Sequence, residues 1–92
     1  MIKSFAHKGL EKFFTSGAQS GIQAIHAKRL RLILALLNDA NQLADLEAPA
    51  LRLHPLKGNF AGFWSLTVSA NWRVIFRFED GNAYIVDYLD YH

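Results

Sequence analysis

The second half of the chain alternates apolar and polar residues, and this two-residue period restricts the fold more than any other feature of the sequence. Residues 62–69 and 73–78 each place every second side chain on one face, which is typical of strands with one buried face. The short link between them predicts a hairpin, and Asp80 followed by Gly81 predicts a second hairpin turn. With a final strand over residues 83–91, the pattern predicts an antiparallel meander.

In the first half of the chain, apolar residues recur with the period of a helix. Residues 7–16 carry an apolar stripe at helical spacing, with Gly17 as the stop signal. Residues 21–38 form a second and broader apolar arc. Arg29 falls inside that arc, so either its stem lies along the core edge with its head in water, or the helix begins later. Residues 2–5 are short and apolar, which predicts an opening strand.

Shorter elements connect the second helix to the meander. Residues 41–48 predict an additional helical turn, which Pro49 ends because the residue before a proline avoids the helical region. Residues 51–53 predict a brief strand and residues 54–59 a loop. The element order predicts an α+β fold in which an N-terminal strand precedes two helices packed on one face of a small antiparallel sheet. We expect residues 1–92 to form one domain, since a chain of 92 residues has room for a single core.

The face of the predicted sheet that the helices leave uncovered is the expected place for a ligand. Arg73 and Arg77 project there if the apolar residues of their strand face the helices, since alternate residues of a strand occupy opposite faces. Tyr91 points away from its two neighbours unless strand pairing ends before it. The residues that share one side of the final strand by the same rule are Tyr84, Val86, Tyr88, Asp90 and His92.

The composition excludes several classes of protein. No cysteine is present, so disulfides, a thiolate nucleophile and a zinc-thiolate site are excluded. The first residues lack the long apolar segment of a secretory signal. The longest uninterrupted apolar run, residues 32–37, is far shorter than the roughly 20 residues needed to cross a bilayer. We therefore expect a soluble, cytoplasmic protein with no membrane partner.

Positive charge is concentrated in the stretch that holds the predicted loop and the first hairpin. Residues 51–77 contain Arg52, Lys57, Arg73 and Arg77 and no acidic residue, although the formal charge of the whole chain is only +2. Among these cations, Lys57, Arg73 and Arg77 are the candidate contacts for RNA phosphates. Four cations give only a modest and salt-sensitive affinity for nucleic acid, so an RNA substrate would need something else to present it.

His54 and the closing sequence Asp90-Tyr91-His92 are the candidates for chemistry. An acid, a phenol and two imidazoles near cationic side chains can move protons around a phosphodiester at neutral pH without a metal. One of His54 and His92 would serve as base for a ribose 2′-hydroxyl, and the other as acid for the departing 5′-oxygen. Asp90 would orient an imidazole, and Tyr91 would stack on a base or donate a hydrogen bond. The sequence does not decide which histidine is the base.

Five segments together carry a family resemblance that runs from end to end. They are residues 1–5 (MIKSF), 53–58 (LHPLKG), 64–68 (WSLTV), 71–73 (NWR) and 90–92 (DYH). With these segments the chain resembles the HigB branch of the RelE superfamily of toxins, which belong to type II toxin-antitoxin systems.

The resemblance implies a RelE-like fold and a bacterial toxin that is an endoribonuclease. Such a toxin cuts messenger RNA in the A site of the ribosome, which inhibits translation and growth, and a HigA-like helix-turn-helix antitoxin holds it inactive. We expect no cofactor and no bound metal. The basic outer face of the second helix, with Lys28 and Arg31, is the candidate surface for an acidic region of the antitoxin. The residues that correspond to the cleavage machinery are His54, Asp90, Tyr91 and His92, with Lys57 and Arg73 as nearby cations.

Three alternatives stand beside this interpretation. His54, His92 and Asp90 are the residue types of a two-histidine, one-carboxylate metal site, although no local metal motif supports it. A toxin of the ParE kind, with the same fold, binds DNA gyrase and needs no catalytic histidine. A non-enzymatic module would use the exposed sheet face only to dock another protein. His7 and His26 are expected at the surface, without a role.

Overall fold

In the computed structural model, which describes residues 1–92, two helices precede a four-stranded antiparallel sheet with the strand order β1-β2-β3-β4. Four short 3-10 turns connect these elements at Ala24–His26, Leu43–Leu46, Pro49–Leu51 and Gly58–Phe60. The predicted α+β class and the meander are confirmed. The helices are α1 (Lys8–Ser16) and α2 (Ala27–Asp39), and the strands are β1 (His54–Pro55), β2 (Trp64–Ser69), β3 (Trp72–Glu79) and β4 (Asn82–Asp90).

Helix α1 begins and ends where the sequence predicts. The Nδ1 atom of His7 accepts a hydrogen bond from the backbone N–H of Leu10 at 2.9 Å, which satisfies one of the free donors of the first turn. Gly17 ends the helix in the left-handed conformation, with φ 81°. His7 is half-buried as the cap of the helix, so the prediction of a surface residue without a role is wrong for it.

Helix α2 begins later than the periodicity predicts, at Ala27 rather than at residue 21. Gly21 lies against the backbone of Gly9, where no side chain fits, and this close approach holds the segment before α2 out of helical geometry. Arg29 remains within the apolar arc of α2, where it is half-buried, and its guanidinium donates hydrogen bonds to the carbonyls of Ala50 and Thr67. No helix of the chain has the length and apolar character required to span a membrane.

The core lies between the two helices and one face of the sheet. Helix α2 buries its apolar stripe against one face of the sheet and approaches β2 and β4 most closely, and α1 adds Leu10 and Phe13. This packing leaves the opposite face of the sheet uncovered by helices, as the sequence predicts. The fully buried residues at the centre of the core are Leu30, Ile33, Leu37, Leu66, Val74 and Phe76.

The predicted N-terminal strand is wrong. Ile2 and Phe5 form only two isolated parallel bridges, with Ala83 and Val86 of β4. Between these bridges β4 has a bulge at Ile85, whose φ is 55° and whose N–H donates to the Ser4 side-chain hydroxyl instead of a backbone carbonyl. The bulge interrupts the ladder, so the segment follows the edge of β4 without becoming a strand.

The same bulge corrects the predicted faces of β4. The extra residue shifts the register between Ile75 and Arg77 of β3 and resets the alternation of side chains. Val86 and Tyr88 therefore both face the core, as two residues that alternate along a strand should. Tyr84, however, lies on the opposite face. The prediction that all three share one side is wrong for Tyr84.

The connection from α2 to β2 also differs from the prediction. The helical turn expected over residues 41–48 is present as the 3-10 turn Leu43–Leu46. The strand expected over residues 51–53 is absent, because Leu51 ends a 3-10 turn and Arg52 adopts a left-handed conformation. The strand β1 instead occupies His54–Pro55, which the sequence predicts as loop.

His26 is buried, at 6% exposure, so its predicted surface position is wrong. Its Nδ1 atom is hydrogen-bonded to the hydroxyl of Tyr88 at 2.5 Å, and the indole of Trp72 packs 4.8 Å from the Tyr88 ring. A phenol is protonated at neutral pH, and burial raises the pKa of Tyr88 further, so its hydroxyl stays neutral and can either donate to or accept from the imidazole. This contact joins the start of α2 to the far end of β4.

We expect Tyr88→Phe to lower the free energy of unfolding by about 1–3 kcal/mol, because His26 then keeps a buried polar atom without a partner. Urea denaturation followed by circular dichroism measures the change. Tyr84→Phe is the matched control, since Tyr84 lies on the other face without a hydrogen bond from its hydroxyl, and it should change the value by less than about 0.5 kcal/mol. Equal losses for the two variants would contradict the assigned contact.

Candidate active site

A cleft of about 390 Å³ opens on the sheet face that is turned away from the helices. The strand registers explain its floor: His54 lies opposite Ser65 on β2, and Thr67 lies opposite Arg73 on β3. Alternation along each strand places these side chains on the same face. The lining residues are Arg52, Leu53, His54, Leu56, Ser65, Thr67, Arg73 and Tyr91.

His54 occupies one side of the cleft. It is exposed at the edge of the sheet on the two-residue strand β1, and its imidazole takes part in no hydrogen bond or ion pair within the chain. Pro55 follows it, and the next residue, Leu56, is buried and also lines the cleft. An imidazole that is held by backbone pairing but has free ring nitrogens is available for proton transfer to a ligand.

Tyr91 occupies the other side of the cleft. Pairing has ended by this residue, but its backbone N–H still donates to the carbonyl of Asn71 at 2.7 Å. The Phe60 ring packs edge-on against the Tyr91 ring, with centroids 6.0 Å apart. These contacts fix the direction of Tyr91, which the sequence leaves open: it faces His54 and Arg73 across the cleft.

Asp90 and His92 do not line the cleft. The Nδ1 atom of His92 lies 3.1 Å from the Oδ1 atom of Asp90, and both side chains are largely exposed. Asp90 lies opposite Trp72 on β3, so it belongs to the helix side of the strand. The expectation that Asp90 and His92 share a side is confirmed. The structure therefore brings His54, Arg73 and Tyr91 together, and it brings Asp90 and His92 together at the end of β4.

The three predicted phosphate contacts have different environments. Arg73 lines the cleft, and its guanidinium donates to the carbonyls of Ala70 at 2.5 Å and Trp72 at 3.0 Å. Arg77 lies on the same face but outside the lining, where it is 3.8 Å from Glu79 and packs over the ring of Phe63. Lys57 is exposed on the loop after β1, also outside the lining.

Three polar lining residues are absent from the predicted site: Arg52, Ser65 and Thr67. The sequence contains a signal for two of them, since the alternation of residues 62–69 places Ser65 and Thr67 opposite the buried face. For Arg52 the only signal is its charge, because its place in the cleft depends on a left-handed backbone that the pattern does not reveal. The structure brings no three His, Asp or Glu side chains together in a way that could hold a metal ion.

Comparison with known proteins identifies the family. A family model described as the RelE-like toxin of type II toxin-antitoxin system HigB matches residues 3–92. The chain belongs to the HigB-type, RelE-like toxins. A curated protein of this family, the endoribonuclease HigB of Proteus vulgaris, is 47% identical over 92 residues, which cover 100% of both chains. The resemblance carried by the five sequence segments is thereby confirmed, and a type II system implies an antitoxin partner for this HigB-type toxin.

Solved structures support the RelE-like fold. A mutant of YafQ from E. coli, in which one histidine is replaced by glutamine, superposes with a TM-score of 0.63 at 16% sequence identity, covering 96% of this chain and 89% of that one. YafQ from E. coli strain BL21(DE3) gives a TM-score of 0.56 at 17% identity, with the same coverage. At these identities the similarity concerns the arrangement of helices and sheet.

Proposed function

We propose that this HigB-type toxin is an endoribonuclease that cuts messenger RNA in the ribosomal A site by metal-free acid-base catalysis, and so inhibits translation and growth. The endoribonuclease activity is supported by the full-length relative of that name at 47% identity. Residues 1–92 would act as a single domain in the cytoplasm, where ribosomes and messenger RNA are found. The observation that carries the proposal is the cleft that places an unpartnered imidazole, His54, beside Arg73 and Tyr91.

The proposed reaction is an internal transesterification of the RNA backbone. A base removes the proton of the ribose 2′-hydroxyl, the 2′-oxygen bonds to phosphorus, and the bond from phosphorus to the 5′-oxygen breaks as an acid protonates that oxygen. His54 and His92 supply the two proton-transfer groups, one as base and one as acid. The carboxylate of Asp90, 3.1 Å from the His92 ring, orients that imidazole.

Tyr91 lines the cleft, and His92 follows it beyond the end of β4. An RNA strand that lies in the cleft beside Tyr91 and passes the end of the strand would meet His92 next. Stacking on a base or a hydrogen bond from the phenol would hold the nucleotide there. Closure of His92 onto the phosphate would accompany RNA binding, since catalytic contacts often tighten only in the substrate complex.

The cations are placed to stabilise phosphate charge around this linkage. Arg73 lies in the cleft, where two backbone carbonyls fix its guanidinium. Arg77 lies on the same face of the sheet and Lys57 is exposed on the loop after β1, and both would contact neighbouring phosphates. Fixed positive groups aimed at developing negative charge lower the barrier of phosphoryl chemistry.

We expect His54→Gln and His92→Gln each to reduce messenger RNA cleavage about 10²- to 10⁴-fold, because each removes one proton-transfer group. Primer extension on messenger RNA from a translating extract measures the cuts. His7→Asn is the matched control: it removes an imidazole on the helix side but keeps a side-chain acceptor at the start of α1.

The outcome of this experiment separates the alternative functions. Full cleavage by His92→Gln would contradict the catalytic assignment, and absence of cleavage by the unmodified toxin would favour gyrase binding or a docking module. Cleavage that is lost with a chelator of transition metals, at unchanged ribosomal Mg²⁺, would favour the metal alternative.

We expect the purified toxin to cut ribosome-bound messenger RNA much faster than the same RNA free in solution. The cationic surface near the cleft is small, so free RNA binds weakly at physiological salt, whereas the ribosome presents a single-stranded codon. Single-turnover rates with and without ribosomes measure the difference. Equal rates would end the ribosome-dependent proposal.

We further propose that the antitoxin is a HigA-like helix-turn-helix protein and that it docks on the outer face of α2. Lys28 and Arg31 are exposed there, and Arg31 packs over the ring of Phe13 beside a shallow apolar groove. The only acidic residue among the first 37 is Glu11, so this surface is complementary to an acidic partner.

The double variant Lys28→Glu/Arg31→Glu should therefore weaken antitoxin binding about tenfold or more, because two attractive charges become repulsive. Calorimetry with the purified antitoxin measures the change, and Lys3→Glu, at the edge of β4, is the charge-matched control. A complex indifferent to the double variant would contradict the placement.

A further inference from the structure

The cleft carries positive charge without any balancing acid. Its eight lining residues include two arginines and one histidine, and neither an aspartate nor a glutamate. Such a lining favours an anion, and the planar guanidinium matches the oxygen atoms of a phosphate in particular.

The two arginines of the cleft differ in what they already bind. Arg73 donates from one guanidinium nitrogen, Nη1, to the carbonyls of Ala70 and Trp72, and its other donors have no partner within the chain. Arg52 is exposed, and its guanidinium makes no hydrogen bond, ion pair or aromatic contact within the chain. All of its N–H donors are therefore free for a ligand.

The backbone holds Arg52 in this position at an energetic cost. Its φ and ψ are both 52°, in the left-handed region that is unfavourable for any residue with a Cβ atom. Its neighbours impose this conformation, because Leu51 is buried on one side and His54 is paired with Ser65 on the other. Such strain persists only where the surrounding contacts hold the residue in the unfavourable conformation. It is common at binding sites.

Arg29 supplies the contact that fixes the turn. A single nitrogen of its guanidinium donates to the carbonyl of Ala50, two residues before Arg52, at 2.6 Å and to the carbonyl of Thr67 on β2 at 3.1 Å. Its Nε atom is buried without a partner, which is costly for a charged group. The side chain thus ties the turn Pro49–Leu51 to the strand that forms the floor of the cleft.

We infer that Arg52 binds a phosphate of the RNA substrate on the His54 side of the cleft, and that Arg29 is the positioning residue that holds Arg52 there. The inference rests on the proposed ribonuclease function and extends it to two residues outside the predicted site. Arg73 and Arg52 then contact phosphates from the two sides of the linkage. His54 depends less on Arg29 than Arg52 does, because backbone pairing with β2 holds it independently.

The first test measures cleavage of a short messenger RNA on programmed ribosomes under single-turnover conditions, with the toxin in excess. The cleavage ratio is the maximal rate divided by the toxin concentration that gives half of that rate. Arg52→Gln should lower this ratio about 10- to 100-fold, since one charged hydrogen-bond partner is lost. Arg52→Lys should recover part of that loss because it retains the charge. Lys12→Gln, which removes a cation exposed on α1, should leave the ratio unchanged. Activity of Arg52→Gln equal to that of the unmodified toxin would overturn the inference and leave the proposed function intact.

The second test asks whether Arg29 acts through Arg52. Arg29→Gln alone should lower both the melting temperature and the cleavage ratio. In the Arg52→Gln background it should lower the melting temperature by the same amount but reduce cleavage by less than about twofold further, because the effects of coupled residues are not additive. An undiminished loss of cleavage in the double variant would show that Arg29 has a structural role only.

A third test does not depend on cleavage. A 2′-O-methyl oligoribonucleotide lacks the hydroxyl that must be deprotonated, so it binds without being cut. Titrated into 15N-labelled toxin, it should shift the side-chain Nε–Hε signal of Arg52 together with the ring signals of His54. The titration is carried out at low salt and millimolar oligonucleotide, where a small cationic cleft still binds RNA. Shifts of the His54 signals without a shift of the Arg52 signal, or shifts confined to residues outside the cleft, would overturn the inference.

Discussion

The packing of α2 on one face of the sheet is the interaction on which the rest of the structure depends. Its apolar stripe covers Leu66, Val74 and Phe76 and buries them fully. Because alternate residues of a strand point to opposite faces, burial of these side chains turns Ser65, Thr67 and Arg73 to the other face. The cleft is therefore the reverse side of the core, and its floor is as rigid as the sheet that separates the two. A catalytic constellation benefits from this support, since proton transfer requires groups held within a fraction of an ångström.

Periodicity and turn residues were sufficient to predict α1, the hairpins and the face on which Arg73 lies. These features are local, because they follow from a few neighbouring residues and one rule of alternation. The errors have a common physical origin in contacts between distant segments. The bulge at Ile85 depends on the N-terminal segment beside it, the late start of α2 on the approach of Gly21 to Gly9, and the burial of His26 on Tyr88, 62 residues away. No pattern within a single segment contains that information.

The candidate site likewise combines features that the sequence predicts with features that depend on contacts between distant segments. His54 and Tyr91 were identifiable by residue type and motif, but their meeting across one cleft is a property of the fold. The direction of Tyr91 depended on where pairing of β4 ends, and the contact with Phe60 settles it. Arg52 carried no signal beyond its charge. Asp90 and His92 lie outside the cleft lining, because Asp90 is on the helix side of β4 and His92 lies against it.

The two edges of the sheet are covered or shortened in ways that affect how the toxin associates with other chains. Along β4, the backbone of residues 1–6 accepts from and donates to the outer edge at Ala83 and Val86. At the opposite edge, β1 is only two residues long and one of them is a proline, which has no N–H to offer. Neither border is an open template on which a further strand can grow. Edge-to-edge pairing of toxin copies is therefore disfavoured at both borders of the sheet.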